Sequence, residues 1–258
     1  MDTLTTEPEI VEPVPQLRPF ARRRAFKVAK RRGETNEDSW EHSRKGAAAV
    51  SDGASISFDS ASWSRILVRR YAQRPQLDGS WVAEAIALYN SQHSRDELGW
   101  AQQAAFDRGS FASLLGVSHL GDARVGVLAI GDSLAVLCDG EAIIDTFPYT
   151  APEEFDQDPQ LLSTNPAENK FLEDSERVAA LWREWDGAAL ASPALLCVTD
   201  ALGRWTLSQR QARASPIAQL RSLTTPRAFA RFVDEERKAG RMRRDDTTLL
   251  AYWDWSAD

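Results

Sequence analysis

The chain has 258 residues, 43% of them hydrophobic and 27% charged, with 14 Gly and 12 Pro. That composition excludes collagenous, coiled-coil and intrinsically disordered chains, and this length buries enough surface to fold without disulfides or a structural metal. The formal charge of −7, from 31 Lys and Arg against 38 Asp and Glu, argues against a general nucleic-acid binder, whose domain would be basic.

Residues 1–18 are acidic and Pro-rich, without a hydrophobic period and without the basic start and apolar middle of a signal peptide. They read as a flexible tail ahead of one domain over 19–258. From Arg18 to Arg32 the charge inverts to eight Lys or Arg and no acid, broken by AFKVA, whose alternation suits a half-buried strand. The plain reading is a solvated strand edge; the sharper one is a landing surface for phosphate-bearing substrates.

GAAAVSDG reads as a short strand closed by a turn, and Ser57 to Arg74 as a helix carrying Ile66, Leu67, Val68 and Tyr71. WVAEAIALY and LGWAQQAAF, within 80–107, predict a second long helix or a helix pair. ASLLGVSHL, ARVGVLAIG and LAVLCDGEAIIDTF follow as strand-like segments, the last with a DG hairpin turn, and together predict an antiparallel meander. Residues 148–177 are polar and Pro-containing with no sustained period, the pattern of a long surface loop or flap. ASPALLCVTD then reads as a buried strand, Thr225 to Ala239 as a helix opened by TP, and TTLLAYW as a closing strand.

Adjacent strands separated by blocks of helix predict an α+β architecture with antiparallel sheets, ahead of a parallel doubly wound sheet. No apolar run approaches the roughly 18 residues needed to cross a bilayer. The two cysteines, Cys138 and Cys197, sit inside apolar runs as reduced, buried thiols would. A cytoplasmic protein with neither membrane nor nucleic acid as partner is the expectation.

Acids recur at the ends of apolar strands: AAAVSD ends at Asp52, VLAIGD at Asp132 and LLCVTD at Asp200, while Asp245 and Asp246 precede TTLLAYW. Several carboxylates held together cannot all stay ionised unless a cation offsets their repulsion, and hard oxygen ligands favour Mg²⁺ or Mn²⁺. His42, His93 and His119 lie far apart and offer no zinc spacing. A GxSxG elbow and a GxxxxGK[ST] phosphate loop are absent, and the DxD of Asp156 and Asp158 sits in a loop context rather than after an apolar strand. The nine tryptophans, Trp63, Trp81, Trp182 and Trp205 among them, read as packing residues.

The ordered set TNEDSW, AVSDG, GSFASLLG, AIGDS, CVTDALGRW and RRDDTTLLAYW resembles the type 2C (PPM) protein phosphatases, with TDALGRW and FASLLG closest to the bacterial branch. The resemblance covers residues 24–255. It implies a four-layer α-β-β-α sandwich, two antiparallel β-sheets flanked by helices, and hydrolysis of phosphoserine or phosphothreonine by a water bridging two divalent metals, Mn²⁺ or Mg²⁺. By motif, Asp52 would bridge both metals with the Gly53 carbonyl on the second, and Asp200 and Asp245 would complete the first shell. Glu37 and Asp38 match the acidic pair supporting the second metal, and Asp132 matches an acid near a third, weaker site. The implied partners are a phosphorylated protein substrate and a serine/threonine kinase.

Three departures from the family pattern stand out. The phosphate-holding Arg expected before NED is replaced by Gly33, which leaves Arg32 as the candidate for that role. The glycine pair after DG gives way to ASISFD, and Ala54 stands where some members carry a His. These departures motivate the alternative of a catalytically weak or inactive phosphatase-like module that binds a phosphorylated partner. A small-molecule phosphatase whose flap at 148–177 sets substrate choice is a third reading.

Overall fold

A computed structural model of the protein describes residues 23–253. The tail expected over 1–18 and the basic residues up to Arg22 lie outside the described residues. In chain order the strands are β1 (Arg23–Val28), β2 (Ser39–His42), β3 (Ala47–Ser51), β4 (Phe111–Ala112), β5 (Leu114–Gly121), β6 (Arg124–Ile130), β7 (Leu134–Asp139), β8 (Ala142–Phe147), β9 (Leu162–Ser163), β10 (Trp182–Asp186), β11 (Pro193–Val198) and β12 (Thr247–Trp253). The helices are α1 (Ser60–Gln73), α2 (Gly79–Asn90), α3 (Trp100–Arg108), α4 (Ser175–Ala180), α5 (Asp200–Gln211), α6 (Pro216–Ser222) and α7 (Pro226–Lys238).

The strands form two antiparallel five-stranded sheets, ordered β1-β12-β11-β7-β8 and β10-β6-β5-β3-β2, with a small β4-β9 ribbon beside them. This is the α+β class that the strand and helix blocks predicted. Strand alternation explains the layering. In β11, Leu195 and Cys197 face the second sheet and pack with Val50, Val117, Val127 and Leu250. Ala194, Leu196 and Val198 face the other way, onto Leu202, Trp205, Phe229 and Val233 of α5 and α7. The opposite face of the second sheet, Ala49, Leu114, Leu128 and Ile130, packs under Trp63, Leu67, Tyr71 and Trp81 of α1 and α2. Strands covered on both faces need apolar residues at every position, which is why AAAVS, LAVLC and PALLCV lack visible alternation.

Two expectations need correction. The meander is two hairpins on opposite sheets: β5 pairs β6 in one, β7 pairs β8 in the other, and β6 and β7 are not neighbours. The chain changes sheet at Gly131, whose φ of +94° suits glycine and where a Cβ would stand 2.6 Å from that of Ser113. Residues 148–177, expected as a surface loop, instead contain 3₁₀ turns at Pro152–Asp156 and Pro166–Glu173, strand β9 and the start of α4. Phe155, Leu162 and Phe171 are buried and pin the segment to the core, too widely spaced to register as a period.

Cys138 and Cys197 are buried and free, as expected. Burial pushes both thiols up to about 12, so they are inert packing groups. Among the described residues, no helix is long and apolar enough to cross a membrane.

Candidate active site

The strand register carries the acids to one end of the sandwich. Ser39 pairs Ser51, so Asp38 and Asp52 continue beyond neighbouring strand ends; Leu114 pairs Ile130, which brings Asp132 to the same edge. In the facing sheet Val198 pairs both Leu249 and Leu134, and Val28 pairs Thr247, so Asp200, Asp245 and Lys30 emerge there as well. Asp52, Gly53, Ala54, Ser55, Asp132, Asp200 and Asp245 line one cleft of about 160 Å³, walled on the flap side by Pro159 and Leu161.

Burial and mutual repulsion dominate its electrostatics. Asp52 is held well above the usual carboxylate range, first by burial and then by Asp38, Asp200, Asp132 and Asp245. Burial followed by Asp132 and Asp245 lifts Asp200 to about 7, although the Ala201 amide and Arg243 oppose the rise. Asp132 is raised by burial and Asp245. Asp38 is buried and lifted to about 8 by burial, with Asp246 and Asp200 adding to it against the hydroxyls of Thr248 and Thr199. Those hydroxyls donate to Asp38 Oδ2 at 2.6 and 3.0 Å, whereas Asp38 Oδ1 is buried without a partner among the described residues.

Glu37 has a different environment. Burial raises its pKa, but hydrogen bonds from Ser55, Lys30 and Ser60 outweigh that and leave it below the ordinary value. Ser55 Oγ lies 2.5 Å and Lys30 Nζ 2.9 Å from Oε2, and Ser60 Oγ lies 2.9 Å from Oε1. Asp246, the second acid of RRDD, is buried and accepts from the backbone amides of Lys30 and Glu37 at 2.6 and 2.5 Å. It clamps the loop that carries Glu37 and Asp38.

The loop after Gly53 keeps its shape without the glycine pair. Ser57 Oγ donates to the Ala54 carbonyl at 2.7 Å and accepts from the Phe111 amide at 3.1 Å. Gly53 itself is required: a Cβ there would stand 2.8 Å from the Ser60 carbonyl oxygen. Asp52 is fixed through its backbone, its amide donating to Ser113 Oγ at 2.9 Å and its carbonyl accepting from the Ser113 amide at 2.9 Å.

Of the residues singled out from sequence, Asp52, Gly53, Asp132, Asp200 and Asp245 share the cleft, with Glu37 joined to it through Ser55. Asp38 is buried behind it, bound to Thr199 and Thr248. Arg32 lines a separate basic cleft. Sequence reasoning gave no role to Ser55, Ser60, Thr199 or Thr248, counted Lys30 only within the basic run, and named Asp246 only as an acid ahead of TTLLAYW. The threonines carried a readable signal, being hydroxyls beside the acids in CVTD and DDTT.

The donor set is of the kind a hard dication takes: half-buried carboxylates and one carbonyl, with Asp52, Asp132 and Asp200 raised in proton affinity. Among the described residues, however, no group of three or more His, Cys, Asp or Glu is arranged to hold a metal ion. The donors fit such ions in chemistry and gather round one cleft without converging on one point.

No family model and no curated protein matches the sequence. Solved structures do match. The catalytic domain of the serine/threonine phosphatase PstP, in complex with two manganese ions, superposes with TM-score 0.57 at 18% identity, covering 90% of this chain and 97% of that one. The Mycobacterium tuberculosis phosphatase PstP/Ppp gives 0.56 at 14% identity over 92% and 99%. The photosystem II phosphatase PBCP gives 0.51 at 13% over 89% and 97%. The chain therefore has the fold of the PP2C-type serine/threonine phosphatases.

Proposed function

We propose that the chain is a metal-dependent phosphatase acting on phosphoserine and phosphothreonine in proteins. The observation that carries this reading is the gathering of Asp52, Asp132, Asp200 and Asp245 with Gly53 on one cleft of a phosphatase fold. Asp52, Asp200, Asp245 and the Gly53 carbonyl would hold the ions, Glu37 would support the second, and Asp132 would stand near a third, weaker site. When bound, Mn²⁺ or Mg²⁺ would neutralise the phosphoryl oxygens and acidify the attacking water.

The surrounding residues prepare that cleft. Asp246 fixes the Glu37 backbone, Ser55 and Ser60 orient its carboxylate, and Ser113 fixes Asp52. Thr199 and Thr248 hold Asp38 by one oxygen. Leu161 and Pro159 limit access of water from the flap side. Neutralising ions also suit a protein of net charge −7, which would otherwise repel a dianionic phosphate. A cytoplasmic role in reversing the work of a serine/threonine kinase follows from this reading.

The lack of a converged metal-holding group favours a second reading, a phosphatase-like module that binds a phosphorylated partner without turnover. Phosphate release from a phosphothreonine peptide, by metal-stripped protein with and without Mn²⁺ and beside Asp52→Ala, separates the two. Release that needs both Mn²⁺ and Asp52 supports the enzyme. Folded protein that binds the peptide but never releases phosphate supports the module.

A further inference from the structure

Beside the acidic cleft lies a second and larger one, about 530 Å³, between the segment 28–33 and the C-terminal half of α7. Among the described residues, six cations line it, Lys30, Arg31, Arg32, Arg237, Lys238 and Arg244, against a single carboxylate, Asp234. Three of the six are already committed. Lys30 pairs with Glu37 at 2.9 Å, outside the lining. Arg31 pairs with Glu34 at 3.1 Å, outside the lining. Arg237 holds the fold together, donating to the Ala29 carbonyl at 3.0 Å, to the Asp245 carbonyl and to Thr247 Oγ1 at 3.0 Å, while its Nε is buried without a partner among the described residues. Arg32, Lys238 and Arg244 are exposed, and their side chains make no hydrogen bond or ion pair among the described residues.

The two clefts share a wall. The Lys30 ammonium donates to Ser55 Oγ of the acidic cleft at 2.6 Å, and Arg237 of the basic cleft holds the carbonyl of Asp245, whose residue lines the acidic one. A protein carrying net charge −7 has thus placed three cations, unpaired among the described residues, immediately beside the acidic cleft. Cations with no internal partner, drawn into a concave surface, attract anions and are the side chains that bind phosphate and carboxylate groups.

We infer that this basic cleft is a specificity subsite that takes a second acidic group, phosphate or carboxylate, on a phosphopeptide whose first phosphate enters the acidic cleft. The inference rests on the proposed function for the placement of that first phosphate, whereas the subsite itself is read from the basic cleft. It also gives Arg32 a place: it recognises substrate beyond the reacting phosphate. Asp234, the one acid in the lining, opposes the bound anion.

Binding and turnover test the two claims separately. Protein in Mn²⁺ is titrated, by fluorescence anisotropy, with three peptides of one sequence in which a non-hydrolysable phosphonate replaces each phosphate: a phosphothreonine analogue with neutral flanks, the same with a second phosphoserine analogue, and the same with Glu at that second position. The peptide with two phosphonates is expected to bind about tenfold tighter than the neutral-flank peptide, the preference falling to about unity in Lys238→Gln/Arg244→Gln. Both residues are exposed, so the melting temperature should hold. Asp234→Asn is expected to widen the preference about twofold. A Glu peptide that shares the preference assigns the subsite to charge of either source; a preference confined to the second phosphonate assigns it to phosphate.

With the corresponding phosphopeptides in Mn²⁺, the double variant should raise KM for the doubly acidic peptides, leaving kcat and the neutral-flank peptide unchanged. Equal binding of all three peptides, or a preference that survives the double variant, overturns the inference. No hydrolysis of any phosphopeptide, alongside a preference abolished by the double variant, leaves the subsite standing and overturns the proposed enzyme.

Discussion

The Lys30 ammonium lies 2.9 Å from Glu37 Oε2, joining the end of β1 to the acidic loop ahead of β2. The same cation reaches Ser55 on the loop after Gly53, so one side chain ties together three segments of the cleft rim. Hydrogen bonding to Glu37 raises the Lys30 pKa against the lowering effect of burial, with charge attraction to Glu37 adding to the rise.

Lys30→Met tests that tie through pH. Glu37 has a depressed folded pKa, so its contribution is present above the unfolded value of 4.5 and lost as pH falls through the folded one. Lys30 has a raised folded pKa, so its contribution is full below 10.5 and lost only as pH rises beyond the folded value. Wild type should therefore exceed Lys30→Met by about 1 kcal/mol at neutral pH, the gap closing in acid. Urea unfolding at pH 7 and at successively lower pH reads the gap, which should narrow progressively below about 4.5; a gap that does not change with pH would assign the effect to packing of the lysine stem.

Asp200→Asn makes the opposite kind of prediction. Asp200 titrates near 7 in the fold against 3.8 for a free Asp, so the folded state binds the extra proton. Stability contributed by that proton is lost as pH rises from about 4 to about 7. Metal-stripped wild type should be more stable at pH 5 than at pH 8, and Asp200→Asn should flatten the dependence, gaining about 1–3 kcal/mol at pH 8. Mn²⁺ should raise the melting temperature of wild type at pH 8 and do little for the variant. An unchanged pH dependence in the variant would remove Asp200 from the charge cluster.

The acids at the strand ends were legible because each stops an apolar run: Asp52, Asp132 and Asp200 follow strands that read clearly, and Asp245 precedes one. That they share one end of the sandwich was not legible, because it depends on antiparallel register between strands distant in sequence, such as Val198 against Leu249. The edge strands SWEH and WREWD lack an apolar run, being only partly buried at the sheet margin. Lys30 was visible only as part of the basic run, and its tie to the acids was not legible, since its partners Glu37, Ser55 and Asp246 lie on three other segments. The flap read as loop because its anchors, Phe155, Leu162 and Phe171, follow neither a helical nor a strand period.

Gly53→Ala tests whether the loop after Asp52 depends on close backbone contact. The added methyl would meet the Ser60 carbonyl group, carbon at 2.9 Å and oxygen at 2.8 Å, both backbone atoms at the start of α1. Either the loop or the helix start must move, at a cost of about 1–3 kcal/mol. Ser60 also orients Glu37, so the displacement should reach the acid pair as well. Calorimetric melting and Mn²⁺ titration should both show the loss. A variant as stable as wild type with unchanged Mn²⁺ affinity would show that the loop adapts.

Asp156→Ala tests the flap. Asp156 ends a 3₁₀ turn and accepts from two arginines, Arg204 of α5 at 2.5 Å and Arg243 of the segment leading to Asp245. Arg243 also reaches the Phe155 carbonyl at 3.3 Å, and Phe155 is buried against the α5 layer. Removing the carboxylate frees Arg243, whose charge lowers the pKa of both Asp132 and Asp200. It also loosens the segment that presents Pro159 and Leu161 to the cleft. The expected result is a rise in KM for phosphopeptides that exceeds any rise for p-nitrophenyl phosphate, because a small substrate needs less of the flap wall. Equal changes for both substrates would place the effect on Arg243 and the acids, and would remove the flap from substrate selection.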